Sequence, residues 1–250
     1  MPRFFLEVAY KGSNYSGFQI QDNAGSIQEE VEKALAIIFR QSVGLTGSSR
    51  TDAGVHALQN FFHFDFDKSI DAKYLYNINA ILPADIVVKC IVPVGSGAHC
   101  RFDAISREYR YYIYREKDPF LADRAYFFPY TLDMEKLEEA ASLILGYSDF
   151  TTFAKRNTQA KTFLCAVQQS TWLVENGCMV YKVMANRFLR GMVRGLVGTM
   201  LQVGRGKLSV SQFGNILQDR DNRLADFSAP GHGLFLYRVN FPVSYFGERE

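Results

Sequence analysis

The chain has 250 residues, 48% of them hydrophobic and 22% charged, with a formal net charge of +2. That length and balance exclude a disordered chain and leave room for one large domain or two small ones around a substantial core. So small a net charge also excludes a chain coated uniformly with lysine, as a non-specific nucleic-acid packager would be, although an average can hide a basic patch.

Residues 3–10 alternate, with Phe4, Leu6 and Val8 on one face, and predict a strand running into the polar turn Lys11-Gly12-Ser13-Asn14. Ser26-Ile27-Gln28-Glu29 has capping-box spacing, in which the serine caps an amide and the glutamate reaches back. With Ile27, Val31, Ala34, Leu35 and Ile38 at helical spacing, it predicts a helix from Ser26 to about Arg40. A small-residue loop then leads to an alternating run that places Phe62, Phe64 and Phe66 on one face. A helix over 71–81 and a strand over 85–94 complete an N-terminal half, 1–104.

The second half, 105–250, opens with a strand from Ser106 in which Tyr109, Tyr111 and Ile113 alternate against Arg110, Tyr112 and Tyr114. Asp133 caps a helix carrying Met134, Leu137, Ala141 and Ile144, closed by Gly146. Strands around 163–174 and 178–186, joined by the turn Glu175-Asn176-Gly177, feed a helix from about 187 to 203. Ser209 caps a shorter helix, and a last strand covers about 233–241. The expectation is an α+β protein of two halves with mainly antiparallel sheets and a cleft where they meet.

The four cysteines form no CxxC pair and the four histidines no HExxH or HxxxH set, which argues against a structural zinc. The N-terminal apolar run is broken by Glu7 before a signal-peptide core forms, and no stretch reaches transmembrane length. These features predict a cytoplasmic protein with reduced thiols, no metal and no membrane span.

Charge is unevenly placed. Residues 1–105 hold nine basic against eleven acidic side chains, and 106–250 hold nineteen against fifteen. Between Lys155 and Lys207, nine basic residues (Lys155, Arg156, Lys161, Lys182, Arg187, Arg190, Arg194, Arg205 and Lys207) face the single acid Glu175, a net +8. Within the predicted helix Arg187, Arg190 and Arg194 share one stripe, and Gly191, Gly195 and Gly198 fall on a line where another backbone or a ligand can come close. A solvated helix face is the plain reading. The near absence of acids favours a polyanion track, since an ordinary surface mixes signs.

The least generic stretch is Gly44-Leu45-Thr46-Gly47-Ser48-Ser49-Arg50-Thr51-Asp52-Ala53-Gly54-Val55-His56-Ala57, a small-residue loop that sets one carboxylate beside one guanidinium. By itself Asp52 reads most simply as a turn or capping residue paired with Arg50. A Walker phosphate loop is excluded, because the glycine and hydroxyl positions around Gly206-Lys207 are leucines.

Arg50-Thr51-Asp52-Ala53-Gly54-Val55-His56-Ala57 resembles the active-site motif of the tRNA pseudouridine synthase A (TruA) family, and the resemblance runs nearly end to end. Its other blocks are Tyr10-Lys11-Gly12-Ser13 with Phe18-Gln19-Ile20-Gln21, Ser26-Ile27-Gln28-Glu29, Arg101-Phe102 with Arg107-Glu108-Tyr109-Arg110-Tyr111, Asp149-Phe150-Thr151-Thr152-Phe153, Phe188 through Gly198, and Ala229-Pro230 with Gly233-Leu234. The resemblance implies two related α+β halves with RRM/ferredoxin-like sheets, an active-site cleft between them, and a homodimer that binds tRNA. It implies isomerisation of uridine to pseudouridine in the anticodon stem-loop, without metal or organic cofactor.

Asp52 takes the nucleophile position, with Arg194 as its basic partner and Arg50 as a second candidate. Tyr109 takes the position that lies against the uracil, and Leu234 that of an apolar wall. Arg187, Arg190, Lys155, Arg156, Arg205 and Lys207 are the candidate RNA contacts. Phe18 and Ile20 depart from the Trp and Arg usual in the family, and Gly191 from a larger polar or histidine residue. The alternative is a catalytically silent RNA-binding protein of the same fold.

Overall fold

β1 (Arg3–Tyr10) hydrogen-bonds on both sides, antiparallel, to β3 (His56–Asp65) and β4 (Ile86–Val94) in the computed structural model, which describes residues 1–22, 24–156 and 160–246. Phe4, Leu6 and Val8 stand opposite Phe64, Phe62 and Asn60, so the face expected to be apolar is assembled across two strands. α1 (Ile27–Phe39) and α2 (Ala72–Ile81) pack together, and α2 lies on β4. Phe39 closes this layer, stacked on Phe66 at 4.1 Å with Tyr74 edge-on at 5.4 Å. The short β2 (Thr46–Gly47) adds to β3.

Half of the expected capping box forms at α1. Ser26 Oγ accepts the Glu29 amide at 3.2 Å, whereas the Glu29 carboxylate lies 2.7 Å from Lys33 one turn on. An exposed i,i+4 ion pair thus takes the side chain that would have reached back.

The second face of this sheet is also buried, which alternation alone does not predict. Here β9 (Leu234–Asn240) lies beside β3, and the tail that follows carries three aromatic rings onto the sheet. Phe241 sits 5.4 Å from Phe5 and 5.0 Å from Phe61, Tyr245 stacks on Phe5 at 5.6 Å, and Phe246 lies 5.5 Å from Phe61. Tyr245 Oη donates to Asp103 at 2.5 Å. The first compact unit is therefore Met1–Ile105 together with Leu236–Glu250, and the second is Ser106–Phe235. The units differ in this from halves cut at residue 104, because burial of Phe5 and Phe61 draws in residues from the far end of the chain.

In the second unit β8 (Cys178–Ala185) pairs antiparallel with β5 (Ser106–Tyr114) on one side and β7 (Val167–Glu175) on the other; the short β6 (Tyr126–Phe127) runs parallel to β5. The β7–β8 turn is the hairpin read from Asn176-Gly177, both with positive φ (51° and 76°). α3 (Met134–Leu143) packs on β7, on α4 (Met192–Gly204) and on α5 (Val210–Gln218). Asp133 caps α3, and Ser209 with Gln212 forms a complete capping box at α5. The architecture is α+β, with sheets flanked by helices.

α4 corrects the expected helix over 187–203. It starts at Met192, behind Gly191 at φ +74°, a left-handed residue through which no helix continues. Arg187 and Arg190 lie before the helix, so the three-arginine helical stripe does not exist. Cβ atoms at Gly195 and Gly198 would stand 2.8 Å from the Phe227 ring and 2.1 Å from the Asp226 carbonyl oxygen. Of that line only Gly198 admits another stretch of backbone; Gly191 and Gly195 face the side chains of Lys155 and Phe227.

Candidate functional site

Asp52 is half-buried, on a turn closed by the bond from Val55 N to Asp52 O at 3.1 Å, with Gly54 at φ +75°. The loop around it is anchored from beneath. Thr51 is buried, its carbonyl accepting the Phe18 amide at 3.1 Å and its hydroxyl lying 2.8 Å from Tyr10 Oη. Asn60 Nδ2 donates to Tyr10 Oη at 3.2 Å and to Ser49 O at 2.9 Å, while Asn60 Oδ1 accepts the Phe61 amide at 2.8 Å. His56 Nδ1 accepts the Gly12 amide at 3.1 Å.

The segment from Gly12 to Phe18 runs directly against this loop. A Cβ on Gly12 would stand 2.0 Å from Val55 O, and Gly17, at φ +119°, comes within 3.0 Å of Thr51 O on the same measure. Phe18 is 1% exposed, stacked on Phe62 at 4.6 Å, and its ring would meet a Cβ on Gly47 at 2.2 Å. Phe18 is thus floor beneath the loop, while Ile20, 44% exposed, faces solvent. Arg50, two residues before Asp52, is exposed.

In the second unit Tyr109 sits in β5 opposite Val183, buried to 8% exposure, with the Phe188 ring edge-on at 5.0 Å. Arg194 is half-buried in the first turn of α4 and donates from Nε to Ala229 O at 2.6 Å. Tyr111 Oη donates to Pro230 O at 2.9 Å, and its ring would meet a Cβ on Gly233 at 2.8 Å. Arg194 and Tyr111 therefore hold the segment that delivers Leu234, buried, to the start of β9. Burial pushes the Tyr111 phenol far up, opposed by the Arg194 charge.

The basic residues form groups at the two ends of α4. Lys155 N donates to Arg190 O at 3.0 Å and its side chain lies along Gly191, with exposed Arg156 beside it, Nε 3.4 Å from Asn222 Oδ1. At the other end Arg205 lies over the Tyr130 ring at 3.7 Å, with Lys207 exposed. Thirteen helical residues separate the groups, about 20 Å. Arg187 is near buried Cys165; burial pushes that thiol up to about 11, and the arginine's charge opposes the rise. Lys155 occupies the space a larger residue at Gly191 would need. Among the described residues, no three His, Cys, Asp or Glu side chains gather where they could hold a metal ion, and no helix is long and apolar enough to cross a membrane.

Residues 140–242 match the family model described as tRNA pseudouridine synthase. The chain is 45% identical to tRNA pseudouridine synthase A of Parabacteroides distasonis over 248 residues, 98% of each chain. It is also 45% identical to the protein of that name from Porphyromonas gingivalis, covering 98% of this chain and 100% of the relative. The chain belongs to the tRNA pseudouridine synthase A family. A Staphylococcus aureus relative of the same name is 38% identical, over 95% of this chain and 91% of its own.

For a member of the tRNA pseudouridine synthase A family, the residues that anchor the Asp52 loop lie outside the candidates that the sequence marks. Tyr10 and Asn60 were not singled out as site residues. Asn60 carried a signal, a polar residue in register with Phe62, Phe64 and Phe66 on a face that is otherwise aromatic. Tyr10 heads the block Tyr10-Lys11-Gly12-Ser13, but a tyrosine at a strand end reads by itself as packing.

Proposed function

We propose that this chain isomerises uridine to pseudouridine in tRNA, with Asp52 as the catalytic carboxylate. Near-full-length identity to proteins named tRNA pseudouridine synthase A supports the reaction. The observation that carries the assignment of Asp52 is its place: half-buried on a turn whose preceding residue is fixed through both side chain and carbonyl. A carboxylate so held meets the orientation demand of attack at a single carbon.

In the reaction the N-glycosidic bond breaks, the base turns over, a carbon–carbon bond forms from ribose C1′ to uracil C5, the C5 proton leaves to solvent, and the released N1 takes up a proton. The Asp52 carboxylate attacks the anomeric carbon or the base, or promotes elimination to a glycal. Arg194 and Arg50 supply positive charge to the carboxylate and the RNA, Tyr109 offers a ring to the uracil, and Leu234 an apolar wall. Lys155, Arg156, Arg187, Arg190, Arg205 and Lys207 contact phosphates, which offsets the few kcal/mol of unstacking the target base. The targets are uridines of the anticodon stem-loop, and the working form is a homodimer.

Tritium release from tRNA labelled at uracil C5 tests this. The wild-type chain releases tritium, and Asp52→Ala lowers the rate by about a thousandfold or more. Full activity in Asp52→Ala would sink the assignment of the carboxylate. Salt-sensitive tRNA binding by the wild type without any release would leave an RNA-binding protein.

A further inference from the structure

We infer that Tyr10, Thr51 and Asn60 form a buried hydrogen-bond relay that positions Asp52 for reaction, an inference that rests on the catalytic reading of Asp52 above. Asn60 is fully buried beside phenylalanines, where an apolar side chain would pack with no amide to satisfy. It spends its amide completely: both Nδ2 hydrogens, on Tyr10 Oη and Ser49 O, and Oδ1 on the Phe61 amide. Tyr10 Oη, which accepts from Asn60, also shares a hydrogen bond with Thr51 Oγ1 at 2.8 Å, in which either hydroxyl can donate.

The relay ends one residue short of Asp52. Thr51 is gripped on two sides, by Tyr10 at its hydroxyl and by Phe18 N at its carbonyl, which fixes the backbone entering Asp52; the Asp52–Val55 turn fixes the backbone leaving it. Three elements meet here, with Tyr10 ending β1, Asn60 in mid-β3 and Thr51 on the loop between them in sequence. A sheet that twists or slides transmits its position to Thr51 through the Tyr10 bond, while Asn60 holds the loop two residues earlier at Ser49 O. None of the three side chains needs to touch RNA, so each is a positioning residue. Displacement of a reacting group by about 1 Å can cost on the order of a hundredfold in rate, whereas substrate binding elsewhere is unaffected.

The test compares Tyr10→Phe, Thr51→Val, their double variant and Thr51→Ser in the full-length protein. Single-turnover tritium release from C5-labelled tRNA is read beside tRNA affinity and melting temperature. Tyr10→Phe keeps the ring that packs 5.9 Å from Phe18 and removes only the hydroxyl. Each single variant is expected to lose about tenfold in single-turnover rate, with tRNA affinity within about twofold of wild type and the melting temperature lower by a few degrees. The double variant is expected to be no slower than the slower single, since both remove the same bond, and Thr51→Ser to retain most of the rate. Wild-type rates in both single variants, losses that multiply in the double, or losses matched by weaker tRNA binding would overturn the relay while leaving the function intact. A wild-type chain that releases no tritium would remove both.

Discussion

At the scale of single residues, chemistry that a motif announces and chemistry that burial creates are told apart by His63. It is 7% exposed in β3, Nδ1 3.2 Å from Cys100 Sγ, with the His99 ring 4.5 Å away. Burial, reinforced by the His99 and Arg3 charges, lowers its pKa to about 4. The folded state therefore holds His63 neutral, while the unfolded chain takes up a proton near the ordinary value of about 6.5. Stability is fully present above about 6.5, falls as pH drops towards about 4, and the loss amounts to about 3 kcal/mol from this residue. Urea unfolding at a series of pH values checks this: His63→Gln should flatten the slope in that window, and the remainder belongs in part to His232, also lowered by burial. Nothing in the sequence marks His63 out from the other three histidines, because its environment comes from Cys100 and His99, more than thirty residues away. Asp52 is the opposite case: its loop was legible as an unusual run of small residues around one carboxylate, and only the depth of its anchoring was not.

At the scale of elements, α4 shows where periodicity stops being informative. Apolar and arginine spacing runs unbroken through Gly191, so a helix from 187 was the natural reading, and the left-handed turn is visible only in space. The three glycines read as one line do three different jobs, and substitution separates them. Gly191→Ala places a side chain at φ +74° against the flexible stem of Lys155, and is expected to cost about 1–2 kcal/mol. Gly198→Ala drives a methyl group to 2.1 Å from the Asp226 carbonyl, whose backbone is tied to the helix by the bond from Asp226 N to Thr199 Oγ1 at 2.9 Å. That variant should cost more than the first, about 3 kcal/mol or above, since overpacking against backbone cannot be relieved by a rotamer change. Trp172, the only tryptophan and 5% exposed in β7 of the same unit, provides the fluorescence signal for both measurements. By contrast, the capped helices and the Asn176-Gly177 hairpin were readable, because a cap or a two-residue turn is a local bargain between neighbours in sequence.

At the scale of the whole molecule, the first unit is built from both ends of the chain. Alternation in β1 and β3 gave one apolar face; the second is buried because Phe241, Tyr245 and Phe246 return to it, a contact across more than 170 residues that no local pattern carries. Phe241→Ala removes rings from Phe5 and Phe61 at once and is expected to cost about 2–3 kcal/mol, read as faster amide exchange in β1 and β3. Unchanged exchange there would mean that the tail lies on the sheet without stabilising it. The return of the tail also orders events at the ribosome. When residue 235 emerges, every residue of the second unit has been made, while Phe5 and Phe61 and the β3 flank beside which β9 will lie still wait for their cover. The loop that holds Asp52 is among the earliest parts synthesised, yet the sheet beneath it is finished only by the last strand, so a chain halted before that strand leaves a sticky aromatic surface for chaperones to shield.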